Sequence, residues 1–249
     1  MIVDCFTFYN ELDMLHLHLE ELYDTVDKFV LVESTTTHVG NKKILYFETN
    51  KDRYTKYMDK IIHVVVDDAP ECNDAWVPER FQRDAIHRGI IPLNLKDDDI
   101  IIIGDVDEIP DTSTLTKLSN QGLTIPMRLE MDFYYYNFKC RNVSKWTHGI
   151  VLPYGFYKQC PQPDKLRISL KCDVVKNGGW HLSYFGTPTF ISNKLTNFAH
   201  QEFNNCNYND IEKINNCVEK GVDLFGRTDC QFEHVLNTDY LPKNYKLIS

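Results

Sequence analysis

Residues 100–103 are four consecutive isoleucines, set between Asp97-Asp98-Asp99 and the cluster Asp105-Val106-Asp107-Glu108. A strand without polar alternation is buried on both faces, the condition of strands in a sheet covered by helices on either side. Runs of the same character occupy residues 2–9, 28–35 and 60–67. Between them, leucines at 12, 15, 19 and 22 mark one face of a helix in residues 10–23, and residues 76–90 read as another. The alternation predicts an α/β fold built on a Rossmann-like, mostly parallel sheet flanked by helices. Such sheets bind ligands beyond the carboxyl ends of their strands. Asp97 to Asp99 are then the solvated turn entering the fourth strand, whereas Asp105, Asp107 and Glu108 stand where a ligand is bound.

Beyond residue 110 the pattern changes to strands at 127–139, 149–157 and 171–185, the last loosened into a turn by Gly178 and Gly179. Helices follow near 187–203 and 208–221. This order predicts an antiparallel C-terminal extension that forms the second wall of a cleft.

A formal net charge of -9 leaves no basic stripe for phosphates, so neither a nucleic acid nor a membrane surface is an expected partner. No basic segment precedes an apolar core at the N-terminus, and no apolar run reaches the length of a membrane span. Eight scattered cysteines without a C-x-x-C pair read as mostly reduced thiols. A cytoplasmic setting is expected, with the oligomeric state left open.

Two aspartates one residue apart in an extended segment present oxygen ligands on the same side, the chemistry that hard divalent cations such as magnesium and manganese prefer. A nucleoside diphosphate completes such a site, and the cation turns it into a better leaving group. In an acidic protein this is a way to hold a dianion. Glu130 and Asp132, two apart on an otherwise apolar strand, are expected to face one way and to serve as a general base, since burial without a role is costly. Asp229 and Glu233 are further candidates.

Taken together, F-x-x-Y-N-E-L-D-x-L near the start, VDKFVLVEST-TTHVG, ERFQRD, DVDEIP and GGWHLSYFG with a following lysine and His-x-Glu resemble glycosyltransferase family 17, the bisecting N-acetylglucosaminyltransferase family. The resemblance runs over roughly residues 2–205. It implies a GT-A type fold, a UDP-sugar donor, a glycan or glycoprotein acceptor, Mn2+ or Mg2+ at the D-x-D, and inversion at the anomeric carbon. On this reading the chain is one catalytic domain over 1–249, with a nucleotide-sugar-binding half at 1–110, an acceptor-side half at 111–235 and a loosely attached tail at 236–249. Asp105 and Asp107 match the D-x-D, with Asp107 the direct metal ligand and Asp105 at the ribose or a metal-bound water. Asn10, Glu11 and Glu33 follow the first two strands, where the uridine is expected. Arg83 meets a phosphate or braces Asp107. His181 is a further metal ligand or the base, and Lys194 neutralises the leaving diphosphate. His200, Tyr135, Trp146 and Trp180 are expected on the acceptor side, the aromatic rings stacking on sugar faces. A membrane anchor like that of the animal Golgi members is not expected, which fits a bacterial or viral member.

Two other readings compete. The strand followed by D-x-D is also the pattern of haloacid-dehalogenase phosphatases, in which the first aspartate is a nucleophile. A glycan-binding protein that keeps the fold without the reaction is the other.

Overall fold

The computed structural model describes residues 1–228, 230–236 and 239–248. The apolar runs form β1 (Ile2–Phe8), β2 (Lys28–Ser34), β3 (Ile61–Val66) and β4 (Ile100–Asp105), parallel to one another in the order β3-β2-β1-β4. Alternate residues of each strand serve opposite faces. Ile100 and Ile102 pack with Phe6, Phe29 and the leucines of α1 (Leu12–Leu22) on one side. Ile101 and Ile103 pack with Val3, Val30 and Ile86 on the other. Two cores sharing one strand explain why the isoleucine run carries no polar residue. The first face also takes α2 (Tyr46–Asn50), through Phe47. The second face is covered by α3 (Trp76–Asp84) and α4 (Ile86–Ile90), the expected helix 76–90 divided at Ala85.

The sheet does not stay mostly parallel. After β5 (Glu108–Pro110) and α5 (Thr112–Gln121), the chain builds β6 (Met127–Tyr135), β7 (Cys140–Asn142) and β8 (Ile150–Pro153). β8 returns antiparallel against β4, β6 pairs antiparallel with both β8 and β7, and β10 (Phe232–His234) closes that edge. Ten strands among the described residues thus make one mixed sheet rather than a parallel one with an appendage. The predicted strand 149–157 ends at Pro153 and continues as α6 (Tyr154–Tyr157), followed by α7 (Pro163–Ser169). Helices α8 (Pro188–Asn197) and α9 (Ile211–Lys220) pack against the far end of β6 through a third core that includes Tyr135, Ile191 and Phe225.

The glycines at 178 and 179 form no turn. Both lie inside β9 (Asp173–Ser183), which runs parallel to β6 on one side and antiparallel to β5 on the other. A Cβ on Gly178 would lie 2.7 Å from the Glu130 backbone nitrogen, and one on Gly179 2.1 Å from the Ile109 carbonyl oxygen. Gly179 also has φ +134°, a conformation costly for any other residue. The close approach of three strands is what the two glycines permit. It lays His181 opposite Glu108 and Trp180 opposite Ile109.

Two smaller expectations change as well. Asp97 and Asp98 are exposed at the turn, but Asp99 is buried and accepts from the Lys96 backbone N–H at 2.6 Å. Residues 240–244 of the closing segment are held rather than loose: the backbone N–H groups of Lys243 and Asn244 donate to Glu21 on α1 at 3.0 and 3.1 Å, and Tyr240 packs on Trp180. Gly179→Ala is expected to lower the unfolding free energy by about 2–4 kcal/mol, from backbone strain plus overpacking, measured by urea denaturation.

Candidate active site

The carboxyl ends of β1 and β4, the C-terminal half of α3, the end of β9 and α8 surround a cavity of about 320 Å³. Its floor is formed by Asp105, Val106 and Asp107, with Glu108 of the same turn buried beneath. Several backbone groups of the turn are paired within the fold. The Asp105 N–H donates to Glu108 Oε2 (3.3 Å), the Leu182 N–H donates to the Asp107 carbonyl (2.8 Å), and His18 Nδ1 donates to the Val106 carbonyl (2.8 Å). His18 is itself buried on α1 and held through Nε2 by Asp4 on β1 at 2.6 Å.

The carboxylates of the turn have different surroundings. Glu108 is buried in a two-pronged pair with Arg167, both contacts at 2.6 Å. The same guanidinium reaches Asp105 Oδ2 at 2.7 Å. Asp105 Oδ1 accepts from Arg83 (3.1 Å) and from the Thr7 hydroxyl (2.8 Å). Burial works against the Asp105 charge, but the Arg167 and Arg83 guanidiniums outweigh it and hold the carboxyl well below the usual carboxylate range. Arg83 therefore braces Asp105, not Asp107 as expected, and is itself paired with Glu79.

Asp107 Oδ2 accepts from Lys194 Nζ at 3.2 Å, and Lys194 lies 3.4 Å from Glu11. Burial pulls the ammonium's pKa down, but Asp107 and Glu11 together push it above the ordinary lysine value, so the group stays charged. Asp107 Oδ1 faces His181 Nδ1 at 3.6 Å. Burial of the imidazole outweighs the pull of Asp107 and Glu108 and lowers its pKa, so this approach is not an ion pair. His181 Nδ1 is buried with no hydrogen-bond partner among the described residues, and the ring stacks on Trp146 at 4.3 Å and 12°. Phe133 and Tyr135 extend the aromatic wall, and Arg227 donates to the Tyr135 hydroxyl at 2.9 Å.

Among residues singled out from the sequence, the cavity gathers Glu11, Arg83, Asp105, Asp107, Tyr135, Trp146, His181, Lys194 and, at its mouth, His200. His200 is exposed, bonded to Glu202 at 2.7 Å and set edge-on to Trp76. The others go elsewhere. Glu33 is fully buried at the end of β2, where it accepts from Lys43 (3.2 Å) and from the Tyr46 and Phe47 backbone N–H groups, anchoring the start of α2. Asn10 lines a second cavity beside Asp13 and Phe185. Asp132 pairs with Lys145 and Arg141 on the face of β6 opposite Phe133 and Tyr135, and Glu130 sits where the β6–β9 register shifts. Neither lines the cavity. Trp180, one residue out of phase with His181, packs in the core and donates to the Tyr240 carbonyl at 3.2 Å. Glu233 pairs with Arg141, and Asp229 lies outside the described residues.

Sequence reasoning missed Arg167, His38 and Gln82. Arg167 stands in PDKLRIS, where a proline and apolar spacing signal a short helix but nothing marks the arginine's target. Arg167→Met leaves Glu108 buried without its cation and Asp105 with Arg83 alone, and is expected to cost about 3–5 kcal/mol of stability. The sign with pH follows from the lowered Asp105 pKa. Its contribution is present above the unfolded carboxyl value near pH ~4 and is lost as pH falls toward the folded value. Acid denaturation curves should therefore be shallower below pH ~4 in the variant than in the parent.

The glycosyltransferase family 17 model matches residues 1–236. The chain is 31% identical to the human β-1,4-mannosyl-glycoprotein 4-β-N-acetylglucosaminyltransferase, 27% to the rat protein and 26% to the mouse protein of that name. Each alignment takes in 98% of this chain and 53% of the relative. The chain thus spans about half the length of the curated relatives it matches.

Proposed function

The chain belongs to glycosyltransferase family 17, and from that premise we propose that it transfers a sugar, N-acetylglucosamine, from a UDP-sugar to a hydroxyl of a glycan, with inversion and with help from a divalent cation. The observation that carries the reading is the split between the two aspartates of the turn. Asp105 has both oxygens held by guanidiniums, while Asp107 keeps Oδ1 beside a neutral imidazole whose buried Nδ1 has no other partner.

A carboxylate oxygen and a neutral imidazole nitrogen are donors that manganese or magnesium accepts. The described residues offer no cluster of three or more such side chains, so diphosphate oxygens and water would complete the shell. This donor set therefore fits a cation carried in with its substrate. When bound, the cation neutralises charge that develops on the departing diphosphate.

The protein's own groups supply the remainder. Lys194, charged and at the cavity wall, is the cation within reach of that diphosphate, and Asp107 and Glu11 hold it in place. Arg83 and Arg167 fix Asp105 as an anion at the cavity edge, oriented to accept from a ribose hydroxyl. Phe133, Tyr135 and Trp146 offer apolar ring faces for sugars. The same geometry argues against the phosphatase reading: a nucleophilic first aspartate needs an uncommitted oxygen, and each Asp105 oxygen is paired with a guanidinium, which leaves Oδ2 room only for a further hydrogen bond. N-acetylglucosamine is favoured by the names of the relatives.

The test is UDP release over a panel of UDP-sugars, with and without manganese. Turnover of one donor is expected to require the metal, and Asp107→Asn is expected to lower kcat by at least ~100-fold. Glu130→Gln and Asp132→Asn should lose far less than the roughly 10²–10⁴-fold that removal of a general base costs. Nucleotide and glycan binding without turnover of any donor would instead leave a binding protein that has kept the family's fold.

A further inference from the structure

One end of the cavity is built by Thr36, Thr37 and His38, which follow β2, together with Gln82 on α3. Gln82 is buried, and its amide nitrogen donates to two carbonyls, Val32 O at 3.0 Å and Phe8 O at 3.3 Å. Two acceptors on that side fix which end of the amide is nitrogen. Gln82 Oε1 is left facing His38 Nε2 at 3.2 Å, and an amide oxygen can only accept. His38 Nε2 therefore carries the hydrogen. A neutral imidazole has one N–H, so the other nitrogen, Nδ1, presents a lone pair.

That lone pair is unused. Nδ1 is buried and has no hydrogen-bond partner among the described residues. Arg83, Lys43 and Asp105 lie close enough to act on the ring electrostatically, yet none bonds to it. Burial, opposed only in part by the bond to Gln82, lowers the pKa to about 4, so the ring is neutral at ordinary pH. An acceptor stripped of water costs free energy until something donates to it, and the cavity is where that donor would come from.

We infer that His38 Nδ1 accepts a hydrogen bond from the nucleoside part of the sugar donor, either the imide N–H of uracil or a ribose hydroxyl, and so helps to select the nucleotide. The inference rests on the UDP-sugar reading. It adds a selection rule to it: Gln82 holds the tautomer, and the tautomer demands a donor from the ligand. Cytosine, which offers a lone pair at the corresponding ring nitrogen, would set two acceptors against each other if the base is the group read.

The experiment is calorimetric titration, with manganese present, of UDP, CDP, N3-methyl-UDP, 2′-deoxy-UDP and 3′-deoxy-UDP into the parent protein, His38→Ala and His38→Asn. The parent is expected to prefer UDP by about tenfold or more over the analogues that lack the donor being read. In His38→Ala that preference should fall below about twofold and UDP should weaken about 10- to 100-fold. His38→Asn, whose Oδ1 is an acceptor near the place of Nδ1, should keep an intermediate preference and serves as the test if the alanine variant does not fold. Loss of discrimination against N3-methyl-UDP and CDP assigns the base, and loss against a deoxy analogue assigns the ribose. Unchanged UDP affinity and unchanged preferences in His38→Ala and His38→Asn would overturn the inference while leaving the UDP-sugar reading intact. Absence of UDP binding by the parent would overturn both.

Discussion

The site depends on a guanidinium that never meets solvent. Arg167 is buried between Asp105 and Glu108, two carboxylates of one four-residue turn that would otherwise repel each other across a few ångströms. Burial of an ion pair is seldom a net source of stability, because desolvation consumes most of the attraction. What such a pair does supply is a requirement: with either partner missing, a bare charge remains inside. The turn can be buried in this form only when α7 has delivered its arginine, so the second half of the chain determines the electrostatics of a motif in the first half.

That dependence explains how much was legible beforehand. The four parallel strands and α1 were readable because each satisfies its own periodicity, and the position of the Asp-x-Asp followed from the strand before it. The parallel character of the sheet was over-extended because pairing direction is a tertiary property. Nothing local in residues 127–135 or 150–153 says that those strands return alongside β4. Glu130 and Asp132 show the same limit on a smaller scale. Alternation correctly separates Asp132 from Phe133 and Tyr135, but only the packed neighbours decide which face looks into the cavity. Glu33 was placed near the right strand end and with the wrong task, since the helix start that it anchors is invisible from its own neighbours in sequence.

A division of labour runs through the cavity. At one end, carboxylates and cations are tied to one another, and the geometry is stiff. Beside them, Phe133 packs on Tyr135 and Trp146 through ring contacts, while the Tyr135 hydroxyl accepts from Arg227 and the Trp146 indole N–H donates to Glu108. The aromatic side is thus tied to the ionic one through Glu108, and it presents apolar ring faces between fixed polar ends.

The pairing of β5 with β9 carries one more consequence. His181 faces the cavity and Trp180 the core solely because Gly179 crosses Pro110 in that register. Side chains on a strand alternate, so sliding β9 by a single residue would put an indole where the imidazole belongs and bury a histidine in the core. A one-residue insertion or deletion between Gly179 and His181 would therefore erase this wall of the site while leaving nearly every atom of the sheet in place.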